Sequence, residues 1–501
     1  MERNLYLPGN PRYQPEVLVP IYGYDNLYRP LIEVELALLD ELHACGVIPG
    51  EDYATLTPEL RENLLSITTT EVDEIENTIT HHDVRALVQA MQKRMPPALA
   101  RWVHLTATSY DILEPARILQ LKRAHQALLL QVKQVIETLA ERVKEEARTL
   151  MIGRTHGQHA LPITAGFWLA TILSRILWCT THLENAEKEL RGKLSGAVGA
   201  CNAQTALNLH PREGYQQPAD QVVIHLWYEA WPKGGFEQNV LGRLGLSAAM
   251  TSTQILAPEP VATYLYHATL LSAALGQLGR DCRQLARTEI GEVAEPFEKG
   301  QVGSSTMAQK RNPVTFENIE GMWERNEAEF GKVTKTLVSE HQRDLVGSSV
   351  VRDFPVILVN LAQQLSRLTK VRKSTGKSFL ASFVIDREAC RKNFDIQSHL
   401  ITAELLYIAL AMHGFEGDAH EFVNHVVVPR AKRSKSTSID LITATAMLAQ
   451  ENGNPHLLGI LNSIPESVKE IIRDPTRYTG QAEFQAMKVA QCAYSYLGKE
   501  W

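Results

Sequence analysis

The sequence predicts an all-α protein organised around a bundle of long helices. Apolar side chains recur at helical spacing across 113–150, and no glycine or proline occurs between Pro115 and Gly153. The same periodicity recurs in four further stretches, 161–191, 260–290, 313–342 and 353–372. No stretch alternates apolar and polar residues as a half-buried strand does, so a sheet core is not expected.

Capping residues mark where the predicted helices begin. Asp111 and Glu114 have the spacing of a capping box at the start of the first long run. Asn312 followed by Pro313 predicts a second helix start, with the asparagine as its N-cap. A helix over 113–150 would be about 55 Å long at ~1.5 Å per residue. Such a length favours an extended bundle that other subunits complete.

The chain, at 501 residues, is longer than one hydrophobic core usually supports. We predict an N-terminal, mostly helical domain over 1–111, the central long-helix bundle over 112–372 and a C-terminal helical domain over 373–501. Two stretches of the central part read as loops: 207–236, rich in proline, glycine and aromatic residues, and 296–311, which is polar and contains glycine. A polar loop held between rigid helices is a common place for catalytic groups.

Composition and charge argue against several classes of protein. A content of 44% hydrophobic and 22% charged residues is ordinary for a globular chain, and the net charge of −6 offers no basic surface for nucleic acid. No run of about 18 apolar residues predicts a membrane span, and the N-terminus lacks a signal-peptide core. The six cysteines have neither paired nor metal-ligand spacing. We therefore expect a cytoplasmic protein with isolated, mostly buried thiols.

The loop from Gly303 to Pro313 is the strongest chemical signal in the sequence. It combines hydroxyl groups, backbone amides freed by glycine, the ammonium group of Lys310 and the start of a helix. These are the components of an anion site that can also hold a base. The residues alone leave two other interpretations open, a phosphate-binding loop without Walker spacing and a plain surface linker.

This loop closely resembles the Gly-Ser-Ser-x-Met-Pro-x-Lys-x-Asn-Pro signature of the fumarase/aspartase superfamily, and it departs only at Ala308, where proline is usual. Other segments are similar to the adenylosuccinate lyase branch of that superfamily, namely 12–13, 81–84, 102–111, 154–160, 195–199, 288–292 and 343–352. The resemblance covers nearly the whole chain. It implies a three-part fold whose central bundle is completed in a homotetramer, with active sites shared between subunits.

The resemblance also implies a reaction, the β-elimination of fumarate from an anionic small molecule that carries a succinyl group. Ser304 would be the base, its alkoxide stabilised by loop amides and Lys310, and His156 would be the acid, oriented by Glu317. Lys310 and Asn312 would grip the succinyl carboxylates as negative charge develops. Further substrate contacts are implied at His82, Asp83, His104, Thr108, Ser109 and Gln254, and phosphate contacts at Arg12, Tyr13, Arg343, Ser348 and Arg352. No metal or other cofactor is implied.

In the branch that these segments resemble, the substrates are adenylosuccinate, cleaved to AMP and fumarate in purine biosynthesis, and the succinylated aminoimidazole carboxamide ribotide. Two departures leave the substrate open. After Gln254 the family has an arginine-containing segment where this chain has Pro-Glu-Pro at 258–260, and 207–236 looks like an insertion. Three alternatives remain: a relative that acts on a different succinyl amine, a carboxymuconate cycloisomerase-like enzyme, and a structural protein that has lost activity.

Overall fold

The computed structural model describes residues 6–209, 235–297, 307, 309–432 and 439–501. Within these ranges the protein is all-α, as the sequence predicts, and two very short two-stranded sheets accompany the helices. No described helix is both long and apolar enough to cross a membrane.

The N-terminal part is a series of short helices around one longer helix. Their bounds are α1 (Val19–Tyr22), α2 (Arg29–Ala44), α3 (Gly50–Tyr53), α4 (Pro58–Leu65), α5 (Thr69–Ile75), α6 (Asp83–Arg94) and α7 (Pro97–Ala100).

The middle of the chain contains the long helices. In order, the elements are α8 (Ser109–Glu145), β1 (Leu150–Thr155), β2 (Gln158–Thr164), α9 (Ala165–Lys188), α10 (Asn202–Ala206), α11 (Phe236–Arg243), α12 (Glu259–Leu285), β3 (Val293–Ala294), α13 (Val314–Thr334), α14 (Val346–Val350) and α15 (Pro355–Thr369).

Short helices make up the C-terminal part. They are α16 (Phe379–Ser382), then strand β4 (Val384–Ile385), α17 (Arg387–Asp395), α18 (Ala403–Met412), α19 (Ala419–Phe422), α20 (Val428–Lys432), α21 (Leu441–Glu451), α22 (Pro455–Ser463), α23 (Glu466–Arg473) and α24 (Ala482–Tyr496).

The five long helices predicted from periodicity are confirmed. They correspond to α8, α9, α12, α13 and α15, and α8 alone contains 37 residues. Their ends differ from the predicted ones by up to about two turns, since α9 begins at Ala165 rather than at 161 and α12 ends at Leu285 rather than at 290. Helix α8 begins and ends a turn early, and α13 ends at Thr334 rather than at 342.

A β-hairpin separates α8 from α9, where the sequence predicted helix on both sides. Strands β1 and β2 pair antiparallel from Leu150 opposite Thr164 to Thr155 opposite Gln158. The tip requires positive φ at two successive residues, 53° at His156 and 74° at Gly157. Glycine adopts this conformation at little cost, and it allows the chain to reverse within two residues.

The capping box predicted at Asp111 is wrong. Helix α8 already begins at Ser109, so Asp111 lies in its first turn. Its carboxylate is fully buried and accepts hydrogen bonds from the Lys193 ammonium at 2.5 Å and from the backbone N–H of Thr108 and Ser195 at 2.9 and 3.0 Å. A buried carboxylate needs such partners, which a surface capping residue does not.

Contacts within the chain divide it into two compact units. Each is assembled from three segments, residues 1–132, 178–273 and 321–366 in unit 1 and residues 133–177, 274–320 and 367–501 in unit 2. The three domains predicted from the sequence, with boundaries at residues 111 and 372, do not correspond to these two units and stay a prediction.

In unit 1, helix α2 buries both apolar and acidic side chains. Leu38 and Leu39 are fully buried, and so are the carboxylates of Glu35 and Glu41. Glu41 accepts a hydrogen bond from the amide of Asn239 at 2.8 Å, so this buried acid is satisfied by polar partners. Glu35 has a different partner, which belongs to the candidate active site.

In unit 2, the start of α13 is anchored in an aromatic cluster. Phe316, fully buried on α13, packs edge-on against Phe379 and Phe383 with ring centroids 5.4 and 6.0 Å apart. Gly279 of α12 lies against the backbone of Phe316, where a Cβ would meet the carbonyl oxygen at 2.7 Å. These contacts fix the first turn of α13 within the core of the unit.

Gly166, in the first turn of α9, generates a stability prediction. A Cβ at this position would lie 2.6 Å from the backbone of Ala147, which cannot move like a flexible side chain. We expect Gly166→Ala to reduce the free energy of unfolding by roughly 1–3 kcal/mol, measured as a lower Tm. Gly459→Ala on α22, where the added Cβ meets open space, is the matched control and should leave Tm unchanged or slightly raised. Equal Tm values for the two variants would contradict this packing.

Candidate active site

Three of the predicted substrate-binding residues meet around one guanidinium group in unit 1. Arg343 donates from Nη1 to Gln254 Oε1 at 2.8 Å and from Nη2 to Ser348 Oγ at 3.1 Å. Its Nε donates to the carbonyl oxygen of Asp344 at 3.2 Å, and the group lies 3.5 Å from the ring centroid of Tyr110. These four partners fix the plane and position of the cation.

The charge of Arg343 is not neutralised within the described part of the chain. Its hydrogen-bond acceptors are an amide, a hydroxyl and a backbone carbonyl, and no carboxylate forms an ion pair with it. Such a cation retains its attraction for an external anion, and a planar guanidinium suits phosphate and carboxylate groups.

Tyr110 completes this cluster, although sequence reasoning did not assign it a role. Its hydroxyl lies 3.1 Å from Ser348 Oγ, while its ring supports the Arg343 guanidinium. It stands within the 102–111 segment, directly after Ser109. Its position directly after two predicted contact residues, Thr108 and Ser109, was the sequence feature that could have identified Tyr110.

A second group of predicted residues surrounds Asp83. Arg352 Nη2 lies 3.3 Å from Asp83 Oδ2, and His82 Nδ1 lies 3.4 Å from Asp83 Oδ1. On the other side of the ring, His82 Nε2 is 3.4 Å from Ser109 Oγ. The arginine is 64% exposed, so its partner does not remove it from solvent. His82 Nδ1 also accepts the backbone N–H of Arg85 at 3.4 Å as the N-cap of α6, so in this arrangement it does not donate to Asp83. The predicted role of Asp83 in fixing the His82 ring stays a prediction.

His104 is held by an acid that the sequence analysis did not identify. Its Nδ1 lies 2.6 Å from Oε1 of the buried Glu35, and the hydrogen bond and charge of that carboxylate raise the histidine pKa against the effect of burial. Glu35 precedes His104 by 69 positions in the chain, and nothing in its local sequence marks the pairing.

The polypeptide around Thr108 is fixed by the buried Asp111–Lys193 pair. Asp111 accepts the Thr108 N–H at 2.9 Å and also the N–H of Gly196 at 3.1 Å. Gly199, nearby, has a φ of 77°, and a Cβ there would overlap the carbonyl group of Ser252. Asp111 thus holds the 195–199 loop against the start of α8. The close approach of the Ser252 carbonyl explains why position 199 is a glycine.

The N-terminal pair Arg12 and Tyr13 is not joined to the Arg343 cluster by any contact in the described chain. Arg12 is exposed, and its side chain forms no hydrogen bond or ion pair with described residues. The ring of Tyr13 lies under the guanidinium of Arg325, 5.6 Å from centroid to Cζ. Their predicted role in phosphate binding stays a prediction.

In unit 2, His156 stands exposed at the tip of the β1–β2 hairpin. The hairpin is anchored by Arg154, which donates two hydrogen bonds, at 2.8 and 2.7 Å, to the fully buried carboxylate of Glu292. Asn393 donates to the same carboxylate at 2.8 Å. The hairpin therefore has an anchored base and an exposed tip, which carries the imidazole of His156.

The predicted contact between Glu317 and His156 is not formed within this chain. Glu317 is exposed in the first turn of α13, and no hydrogen bond joins it to the imidazole. The helix start is capped by Glu295 rather than by Asn312, since Glu295 Oε1 accepts the N–H groups of Thr315 and Phe316 at 2.7 and 2.9 Å. The N-cap prediction for Asn312 is therefore wrong, which leaves the amide of Asn312 available for substrate.

Residues 298–306 and 308 lie outside the described residues, so the predicted base Ser304 has no structural account. The same holds for most of the predicted insertion, since 210–234 also lie outside. Lys310 is exposed, and its backbone N–H donates to the carbonyl oxygen of Met307 at 3.1 Å. Among the described residues, no three His, Cys, Asp or Glu side chains are arranged to hold a metal ion.

Comparison with known proteins identifies the family to which the chain belongs. Residues 59–325 match a family model described as lyase. The chain is 31% identical to the adenylosuccinate lyase of Archaeoglobus fulgidus over 86% of its own length and 89% of that protein. It is 32% identical to the adenylosuccinate lyase of Pyrococcus horikoshii over 85% of this chain and 88% of the relative.

Solved structures show the same fold at lower sequence identity. A fumarate lyase from Mesorhizobium sp. BNC1 superposes with a TM-score of 0.74 at 21% identity, covering 94% of this chain and 97% of that one. The 3-carboxy-cis,cis-muconate lactonizing enzyme from Pseudomonas putida also gives 0.74 at 21% identity, covering 99% of both chains. The protein is thus a lyase that belongs to the fumarase/aspartase superfamily, with adenylosuccinate lyases among its relatives.

Proposed function

We propose that this lyase cleaves adenylosuccinate to AMP and fumarate by β-elimination, and that it acts likewise on the succinylated aminoimidazole carboxamide ribotide. The observation that carries the proposal is Arg343, a guanidinium that neutral groups fix in place without cancelling its charge. Three of its five N–H groups are used by the protein, and two remain for a ligand. A phosphate monoester suits this cation, because paired, charge-assisted hydrogen bonds match its oxygens.

Arg352 and Ser348 extend the proposed phosphate site. The hydroxyl of Ser348 contacts both Arg343 and Tyr110, so its position is determined by the same cluster. Among the described residues, Arg352 forms an ion pair with Asp83 at 3.3 Å and is mostly exposed, so that a doubly charged phosphate would compete for it. Arg12 would approach from the N-terminal segment.

The proposed chemistry divides proton removal and proton delivery between two loops. Ser304 would take the proton next to the carboxylate, while Lys310 and the loop amides stabilise the charge that develops there. His156 would protonate the leaving nitrogen from the exposed tip of its anchored hairpin. Asn312, free of any capping duty, would bind a succinyl carboxylate.

We also propose that the enzyme is a cytoplasmic homotetramer with shared sites. His156 and Glu317 are both exposed and unconnected within one chain, although the mechanism needs the carboxylate to orient the ring. A second subunit could supply either partner. The long helices α8, α9, α12, α13 and α15 are the expected surfaces for this assembly.

A second candidate is a lyase or lactonising isomerase with a different substrate. A cavity of about 220 Å³ adjoins Arg343 and Tyr110, and its walls include Leu256, Pro258 and Val261. Pro258 stands where the family has its arginine-containing segment, so this wall is apolar rather than cationic. An apolar group in place of the nucleotide would be compatible with that wall.

The choice between these candidates depends on the phosphate. We expect adenylosuccinate to be a good substrate and its dephosphorylated nucleoside a poor one. Arg352→Ala should raise KM for adenylosuccinate roughly 10- to 150-fold, the loss of one charge-assisted contact, and Arg352→Lys should restore only part. Arg391→Ala, which removes an exposed arginine paired with Asp395, is the control and should change nothing. Equal rates with and without the phosphate would exclude the nucleotide substrate and favour the second candidate.

Ser304→Ala tests the assignment of the base. It should abolish nearly all turnover while the substrate Kd changes by no more than about a few-fold, because the base acts mainly in the transition state. Binding is measured by calorimetry and turnover by the absorbance of the substrate. Ser463→Ala, whose hydroxyl only donates to the carbonyl of Ile460 in its own helix, serves as the control. Turnover within about tenfold of the parent would remove Ser304 from the mechanism.

Mixing two inactive variants tests whether sites are shared. Ser304→Ala and His156→Gln should each be inactive, and subunit exchange between them should recover part of the activity, because some sites then contain neither substitution. Chromatography must first show that both variants form tetramers and exchange subunits. Exchange without any recovery would mean that each chain carries a complete site.

A further inference from the structure

Both carboxylate oxygens of Glu35 contact one residue, His104. Oε1 lies 2.6 Å from the ring Nδ1 of His104, and Oε2 accepts the backbone N–H of the same residue at 3.1 Å. Glu35 is fully buried, so water does not compete for these contacts. His104 has a φ of 66°, in the left-handed region that histidine adopts rarely and at some cost. The carboxylate thus fixes the backbone and the ring together.

The charges around the ring favour its protonated form. Burial opposes the charge, since the His104 side chain is only 18% exposed. The hydrogen bond to Glu35 and the negative charge of that carboxylate outweigh burial and raise the histidine pKa, with a smaller contribution from Asp111. Arg85 acts in the opposite direction. A net negative surrounding therefore keeps the imidazole charged to a higher pH than usual.

The second ring nitrogen of His104, Nε2, does not take part in the contacts with Glu35. Nδ1 is committed to Glu35, and Nε2 has no hydrogen-bond partner among the described residues. Thr108 and Ser109, both predicted substrate contacts, follow within five positions. We propose that Glu35 is a positioning residue that holds His104 as an imidazolium and aims its Nε2–H at an anionic oxygen of the substrate. This inference rests on the proposed function, because it assumes that the anion is part of a succinyl nucleotide.

The proposal assigns His104 a role different from that of a base or a neutral hydrogen-bond donor. A charged N–H donor binds a carboxylate or phosphate oxygen about twice as strongly as a neutral one. Deprotonation removes that charge, so the contact weakens as the pH rises through the raised pKa of His104. Substrate affinity should therefore fall at high pH, whereas at low pH the contact is complete.

The first experiment measures the protonation of His104 directly. In ligand-free protein with labelled histidine, NMR titration should give His104 a pKa above the ordinary value of about 6.5, with the resonance assigned by its loss in His104→Gln. Glu35→Gln should lower this pKa. Glu33→Gln, on the same helix but paired with Arg29 and Arg123, should not. A parent His104 that titrates at or below the ordinary value would overturn the proposal, even if Glu35→Gln did not fold.

The second experiment follows the consequence for substrate. At pH 8, Glu35→Gln should raise KM for adenylosuccinate by roughly tenfold with a smaller change in kcat, and the increase should shrink as the pH falls through the His104 pKa that NMR gives for the variant. Product inhibition identifies the anion: weaker inhibition by fumarate points to a carboxylate, and weaker inhibition by AMP to the phosphate. A KM increase that stays the same from pH 8 to a pH below the variant's His104 pKa would indicate a merely structural role and would overturn the proposal.

The two experiments separate this inference from the proposed function. If adenylosuccinate is not a substrate but Glu35→Gln lowers the His104 pKa, the proposed function fails while the charged donor stands. If adenylosuccinate is cleaved and the His104 pKa is unaffected by Glu35→Gln, the inference fails while the function stands.

Discussion

Asp111 and Lys193 face each other at 2.5 Å with both side chains completely shielded from water. Two opposite charges in such surroundings attract strongly, but each also loses its hydration, so the pair is stable only with further hydrogen bonds. The backbone N–H groups of Thr108, Ser195 and Gly196 supply them. Much of the candidate site in unit 1 depends on this arrangement, because it joins the start of α8 to the 195–199 loop.

The charged groups of the candidate site in unit 1 differ in how neighbouring residues affect their charge. Arg343 is surrounded by neutral acceptors and keeps its charge for a ligand, whereas Arg352 shares its charge with Asp83. Glu35 acts differently on His104, since its buried carboxylate raises the pKa of that imidazole against the effect of burial. These three groups of unit 1 thus differ in how far neighbouring carboxylates compensate or favour their positive charge.

Periodicity predicted the long helices because it records which side chains are buried, and burial extends over many turns in α8 and α12. It failed at the β1–β2 hairpin, where six- and seven-residue strands carry too little pattern to compete with the helical signal on both sides. Motifs indicated Gln254 as a substrate contact and Arg343 and Ser348 as phosphate contacts, and the structure brings these three residues together. Glu35 and Tyr110 were missed because their roles depend on partners that are distant in sequence, and no local pattern encodes such a pairing.

The interleaving of the two units has a consequence for how the protein is made. Unit 1 needs residues 1–132, 178–273 and 321–366, so its first segment leaves the ribosome long before its last. The 188 residues between positions 132 and 321 take about 10–40 s to translate at ~5–20 residues per second. Helix α2 packs against α4 and α11, so its apolar face lacks part of its final packing until α11 has been made, and the nascent chain is exposed to aggregation during that time. Folding of this protein should therefore be largely post-translational, and its efficiency in the cell should depend on chaperones that bind nascent chains.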